Sequence, residues 1–158
     1  VPSRSWRSSS FAWVMGGAVI IVVLGATGAL NALADTIFPS DTVGGDLADK
    51  FGPTAPMLSR LRIIHPVVAV VGGMAVAWIA TSNSRRASAT TRVAASGVTW
   101  VVLSQMFIGI ANIFFLTPLV LQITHLLVAD LLWIVYVVFG ASLMADEIPS
   151  RQRPRVSA

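Results

Sequence analysis

VAASGVTWVVLSQMFIGIANIFFLTPLVLQITHLLVA, residues 93–129, contains no Asp, Glu, Lys or Arg. As one helix rising about 1.5 Å per residue it would run roughly 55 Å, far beyond the ~30 Å of hydrocarbon that a single span crosses. Thr117-Pro118 divides it, because proline brings no amide donor and clashes with the preceding turn. The reading is two spans, about 93–115 and 119–144, joined by a tight turn. Working outward, the run from Phe11 to Ala34 is also uncharged and stops at Asp35 and Pro39. A further span fits 59–81, entered through Arg60 and Arg62. The expected fold is therefore an all-α membrane protein: a four-transmembrane-helix bundle over residues 11–145, with an external loop at 35–58. Residues 1–10 form an N-terminal segment and 146–158 a C-terminal tail that reads as disordered after Pro149.

Composition agrees with that class. Of 158 residues, 55% are hydrophobic and 11% charged, too few charges to wet the surface of a soluble domain. The net charge is +4, yet no basic face interleaved with aromatics exists, and nucleic acid is excluded as a partner. The arginines instead stand in groups beside apolar runs. Arg4 and Arg7, then Arg85, Arg86 and Arg92, then Arg151, Arg153 and Arg155 all fall on one side of a four-span chain. The positive-inside rule makes that side, and both termini, cytoplasmic. Asp35, Asp41, Asp46 and Asp49 fall on the other, where Asp46–Phe51 reads as an amphipathic turn between Gly44-Gly45 and Pro53,. Cysteine is absent, which excludes disulfides, thiolate metal sites, iron–sulfur clusters and covalently attached c-type heme. The chain begins with Val1, and its start reads as processed or cut from a longer chain. The apolar run after Arg7 is too long for a signal-peptide core.

The chain has two histidines, His65 and His125, each inside an apolar span. Counted from Ser59 and from Pro118, they lie about 9 and 10 Å into the second and fourth helices. Those helices run in the same direction, so the two imidazoles are expected at matching depth. Two neutral imidazoles on facing helices can take both axial positions of a heme iron, a b-type heme standing between the helices. The bland alternative is that each histidine hydrogen-bonds a neighbouring helix. Zinc fits less well, lacking further ligands. Arg60 and Arg62, at the outer mouth of the second helix, suit heme propionates; snorkelling or pairing with loop aspartates suits them equally. Asp130 lies about 140° around the helix from His125. It is left as a proton relay, a hydrogen-bond partner of Gln105 or Ser104, or a contact to another subunit. Gly16, Gly17, Gly25 and Gly28 let helices approach closely, and Trp13, Trp78, Trp100 and Trp133 read as lipid-facing or interfacial.

Three stretches carry a resemblance: Gly25-Ala26-Thr27-Gly28-Ala29 with Ala34-Asp35-Thr36-Ile37-Phe38-Pro39; Leu61-Arg62-Ile63-Ile64-His65-Pro66; and NIFFLTPLVLQITHLLVADLLW, residues 112–133. From about Gly25 to Met144 the chain resembles the heme A synthase family, which oxidises a ring methyl of heme o to a formyl group for terminal oxidases. Most members are eight-span chains of two similar four-helix halves. The resemblance implies that His65 and His125 ligate the iron of a heme b (iron protoporphyrin IX). It also implies that the substrate half carries a glutamate three residues before its first histidine, where this chain has Arg62. A cysteine pair of the catalytic half is missing as well. The chain thus resembles the C-terminal, cofactor-binding half, with no catalytic residue of its own. Its implied partners are heme, a second four-helix unit (the N-terminal half or another copy), the lipid bilayer, and a terminal oxidase or other respiratory complex. The setting implied is a prokaryotic cytoplasmic membrane. Two alternatives remain: a non-catalytic b-type cytochrome or accessory subunit of a respiratory complex, and a structural subunit without cofactor.

Overall fold

A computed structural model describes residues 4–37 and 64–147. They form four helices: α1 (Arg4–Ile37), α2 (Ile64–Ser84), α3 (Ala89–Phe114) and α4 (Leu119–Asp146). Each is long and apolar enough to cross a membrane,, and the chain is an all-α integral membrane protein. The loop expected at 35–58 from residue 38 on, the amphipathic turn expected at Asp46–Phe51, Arg60, Arg62 and the tail from 148 lie outside the described residues. α1 starts before the apolar run, at Arg4, since no glycine or proline interrupts the polar residues leading into it,.

Local chemistry fixes the helix ends on either side of α3. Ser88 caps its N-terminus, the hydroxyl accepting from the Thr91 amide at 3.3 Å,. The Asp146 carboxylate, from the end of α4, accepts from the Ser88 amide at 2.9 Å and the Thr91 hydroxyl at 2.7 Å. A negative charge at a helix N-terminus is favoured by the helix dipole, so the last turn of α4 is tied to the first of α3. At the other end the Thr117 amide reaches back to the Asn112 carbonyl at 2.7 Å and the Leu116 amide to Ile113 at 3.4 Å. This is the Schellman pairing that closes a helix. It sets Leu116 and Thr117 at φ of 56° and 53°, where a side chain costs roughly 1–2 kcal/mol per residue. Gln122 braces the turn by donating to the Thr117 carbonyl at 2.6 Å, and Pro118, extended at ψ 143°, starts α4.

The helices close a ring, α1 on α2, α2 on α3, α3 on α4 and α4 back on α1. Contacts along each neighbouring pair run in opposite directions. On α1 and α2, Trp13 meets Trp78 edge-on with ring centroids 5.5 Å apart, while Gly28 meets His65. On α3 and α4, Gly97 meets Val135 and Gly109 meets His125. The bundle is therefore up-down-up-down, with α2 and α4 parallel across its diagonal. Lipid gives no hydrophobic drive for helix to join helix, so close packing must supply it. Gly17 illustrates this: Tyr136 of α4 fills the space a side chain would take there and donates to the Val14 carbonyl at 3.0 Å. Gly16 and Gly25 face open space instead.

The buried apolar cluster sits toward one end. It gathers Val14 and Ile21 of α1, Val76 and Ala80 of α2, Ala95, Val98 and Val102 of α3, and Leu132, Tyr136, Phe139 and Leu143 of α4. Apart from Ile21, Val102 and Leu132 at mid-helix, these lie in the early half of α1 and α3 and the late half of α2 and α4, the end away from both histidines. Gly17→Ala is expected to break this packing, because its methyl collides with Tyr136. A loss of about 1–3 kcal/mol, the usual range for overpacking, should show as a lower thermal midpoint in detergent. Tyr136→Phe, which removes only the hydroxyl, should cost less.

Candidate functional site

His65 is the second residue of α2, and His125 is the seventh of α4, nearly two turns inside it,. Register sets their relative height. Gly73 packs on Val102, so His65, two turns earlier on α2, is level with Ile110 on antiparallel α3. Its neighbour Gly109 packs on His125. The two imidazoles therefore occupy one level of the bundle, both half-buried.

Each ring rests on a glycine of an adjacent helix. A Cβ at Gly28 would come 3.1 Å from Cε1 of His65, and one at Gly109 3.4 Å from Cε1 of His125. Next to Gly28, the Thr27 hydroxyl lies 3.1 Å from Nδ1 of His65 and 2.9 Å from the Val23 carbonyl. A threonine in a helix donates its one proton to the carbonyl a turn earlier, and the oxygen then accepts from the ring. The network thus assigns the proton of His65 to Nδ1 and leaves Nε2 a bare lone pair. His125 is held differently. Gln105 of α3 donates through Nε2 to the His125 backbone carbonyl at 2.9 Å, and Asn112 donates to the Leu121 carbonyl at 3.5 Å. Nδ1 of His125, Oε1 of Gln105 and Oδ1 of Asn112 are buried without a hydrogen-bond partner among the described residues.

Other candidates fall elsewhere. Asp130 lies on the exposed side of α4, and the Gln105 amide is committed to His125, so that pairing is not formed. Asp35 is half-buried near the end of α1 and accepts from Asn31 at 3.0 Å. Among the described residues no three His, Cys, Asp or Glu side chains gather to hold a metal ion. Sequence reasoning passed over Gly109 and the parts played by Thr27, Asn112 and Asp146. Spacing offered a signal for two of them, since Gly109 is four residues from Gln105 and Asn112 seven, one face of a helix.

The comparisons with known proteins bear on this arrangement. A family model described as cytochrome oxidase assembly protein, COX15-CtaA, matches residues 3–137. The chain belongs to that family. It is the heme A synthase family that the motifs around His65 and His125 resemble. Two curated relatives named protoheme IX farnesyltransferase, from two strains of Thermus thermophilus, are each 32% identical over 129 residues. The match takes in 81% of this chain but 21% of either relative, so the chain spans about a fifth of their length. No solved structure matches.

Gly28→Val is expected to push the His65 ring off α1 and break its contact with Thr27. Histidine-selective 15N labelling should show a changed His65 imidazole signal beside an unchanged His125 signal. Two histidines in the chain make the assignment direct.

Proposed function

We propose that this chain is a heme-binding four-helix unit of heme A synthase type, serving cytochrome oxidase assembly. The observation that carries the reading is the histidine pair: two imidazoles at one level, on parallel diagonal helices, each seated on a glycine. The donor set fits a bis-histidine heme b. Neutral imidazole nitrogen is a ligand for iron; Nε2 of His65 is left free by the Thr27 contact, and the ring nitrogens of His125 make no hydrogen bond among the described residues. Both rings lie away from the packed apolar cluster.

In this reading His65 and His125 would hold the heme iron, and Thr27 fixes the first ring by accepting a hydrogen bond from its Nδ1–H. Gly28 and Gly109 admit the rings close to the neighbouring backbones. Arg60 and Arg62, five and three residues before His65 in the sequence, would hold the propionates. When bound, the heme supplies one-electron transfer. The electron acceptor is a substrate heme in a second four-helix unit, either another part of a longer chain or another copy. Arg62 at the position of the family's glutamate supports a relay in place of a catalytic role for this unit. The same residue favours the second reading, a b-type cytochrome that modifies nothing. The activity for which the relatives are named, farnesyl transfer to protoheme IX, belongs to chains of which the match takes in 21%. It supports porphyrin chemistry as the common ground. The three arginine groups support a prokaryotic cytoplasmic membrane with both termini inside.

A reduced-minus-oxidised spectrum of the detergent-purified chain, with a pyridine extract, tests the binding. A low-spin b-type signal at about one heme per chain is expected. His65→Ala and His125→Ala should each abolish it, and a wild-type spectrum in either variant would remove that histidine as a ligand. Arg62→Ala should lower heme occupancy without changing the spectrum; full occupancy would take Arg62 out of the propionate role. Formation of heme a by the unit together with its partner half separates synthase from cytochrome.

A further inference from the structure

The three buried polar atoms without partners all lie where α3 faces the His125 turn of α4. Gln105, Gly109 and Asn112 share one face of α3, and His125 rests on the glycine between the two amides. Each amide has spent its nitrogen on α4: Gln105 on the His125 carbonyl at 2.9 Å, Asn112 on the Leu121 carbonyl at 3.5 Å. Reversing either amide would set oxygen against oxygen, so these orientations are fixed by the carbonyls they meet. What remains on this face of α3 is Oε1 of Gln105 and Oδ1 of Asn112, both buried and both able only to accept,. Nδ1 of His125 is the third buried atom and, with the ring proton on it, the one donor of the set. A polar group buried in an apolar setting is expected to find a partner, directly or through one ordered water.

We infer that Gln105 and Asn112 are positioning residues that set the tautomer of His125: their carbonyl oxygens, neither of which bonds the ring directly, draw the ring proton to Nδ1 through an ordered water and leave Nε2 as the lone pair. They do for His125 what Thr27 does for His65, by unrelated chemistry. One face of α3 thereby both fixes the height of α4 and selects the ring nitrogen available to iron. Donation from Nδ1–H also makes an imidazole a stronger electron donor through Nε2. The consequence for iron rests on the proposed heme site; the tautomer does not.

The test begins with the heme-free chain, labelled with 15N on its two histidines and assigned with His65→Gln. Two-bond nitrogen–proton couplings distinguish Nδ1–H from Nε2–H. Nδ1–H is expected at both rings. Nε2–H at His125 in the wild type would overturn the proposal, and that result needs no variant to fold. The Gln105→Met/Asn112→Leu double variant should move His125 toward Nε2–H and leave His65 unchanged, with the single variants dividing the effect. An unaltered His125 tautomer in a folded double variant would overturn the proposal as well. In chain reconstituted with hemin, the double variant should show a raised midpoint potential with a low-spin spectrum retained. An unchanged potential would count against the role. Failure of the wild-type chain to take up hemin, with Nδ1–H observed at His125, would sink the heme reading and leave the tautomer assignment standing.

Discussion

Register along the antiparallel helix pairs determines where every functional group lies. Between α3 and α4 it is set by a ladder of unlike contacts: Asp146 on Ser88 and Thr91, Val135 on Gly97, the His125 carbonyl on Gln105, and the Leu121 carbonyl on Asn112. A slip of one turn would undo all the polar pairings together. In hydrocarbon no water replaces a lost partner, so the ladder is far more discriminating than its number of bonds suggests. The height of His125 is inherited from it. The height of His65 follows from a second ladder, Trp78 on Trp13 and the ring itself on Thr27 and Gly28.

Family membership and geometry speak to different parts of the functional reading. The family model spans most of the chain, residues 3–137, and that stretch includes both histidines. It does not distinguish a unit that oxidises a porphyrin from one that passes it electrons. Arg62, where the related substrate-binding half has a carboxylate, bears on that distinction. A cation three residues before His65 suits charge neutralisation of an anionic group and cannot take a proton from a substrate.

The number of spans, the break at Pro118 and the two histidines were legible because each rests on a signal that survives without tertiary context: run length, a missing amide proton, a rare polar residue in lipid. The α3–α4 turn was legible only as a turn. Its Schellman pairing places Leu116 and Thr117 in the left-handed region, where pattern reading expects glycine. Bonds from Asn112, Ile113 and Gln122, made by residues on both helices, hold it there. Asp146 read as the charge that ends a span, yet it reaches across to Ser88 and Thr91, a pairing of residues far apart in sequence. Gln105 was noticed as a polar residue in a span. That its amide is used by the backbone of His125 depends on helix rotation, which no periodicity in so uniformly apolar a helix defines.

The uneven distribution of the buried core has a mechanical meaning. With Tyr136, Phe139, Val76 and Val98 closely packed toward one end and the imidazoles toward the other, the bundle is built like a spring peg, its pivot near Val14 and its jaws at the histidines. Amide exchange should be slowest around the pivot and fastest at the jaws, since local opening follows contact density. Whatever bridges the jaws would complete the stiffening of the molecule from the far end, tying the diagonal pair α2 and α4, which otherwise meet only sparingly.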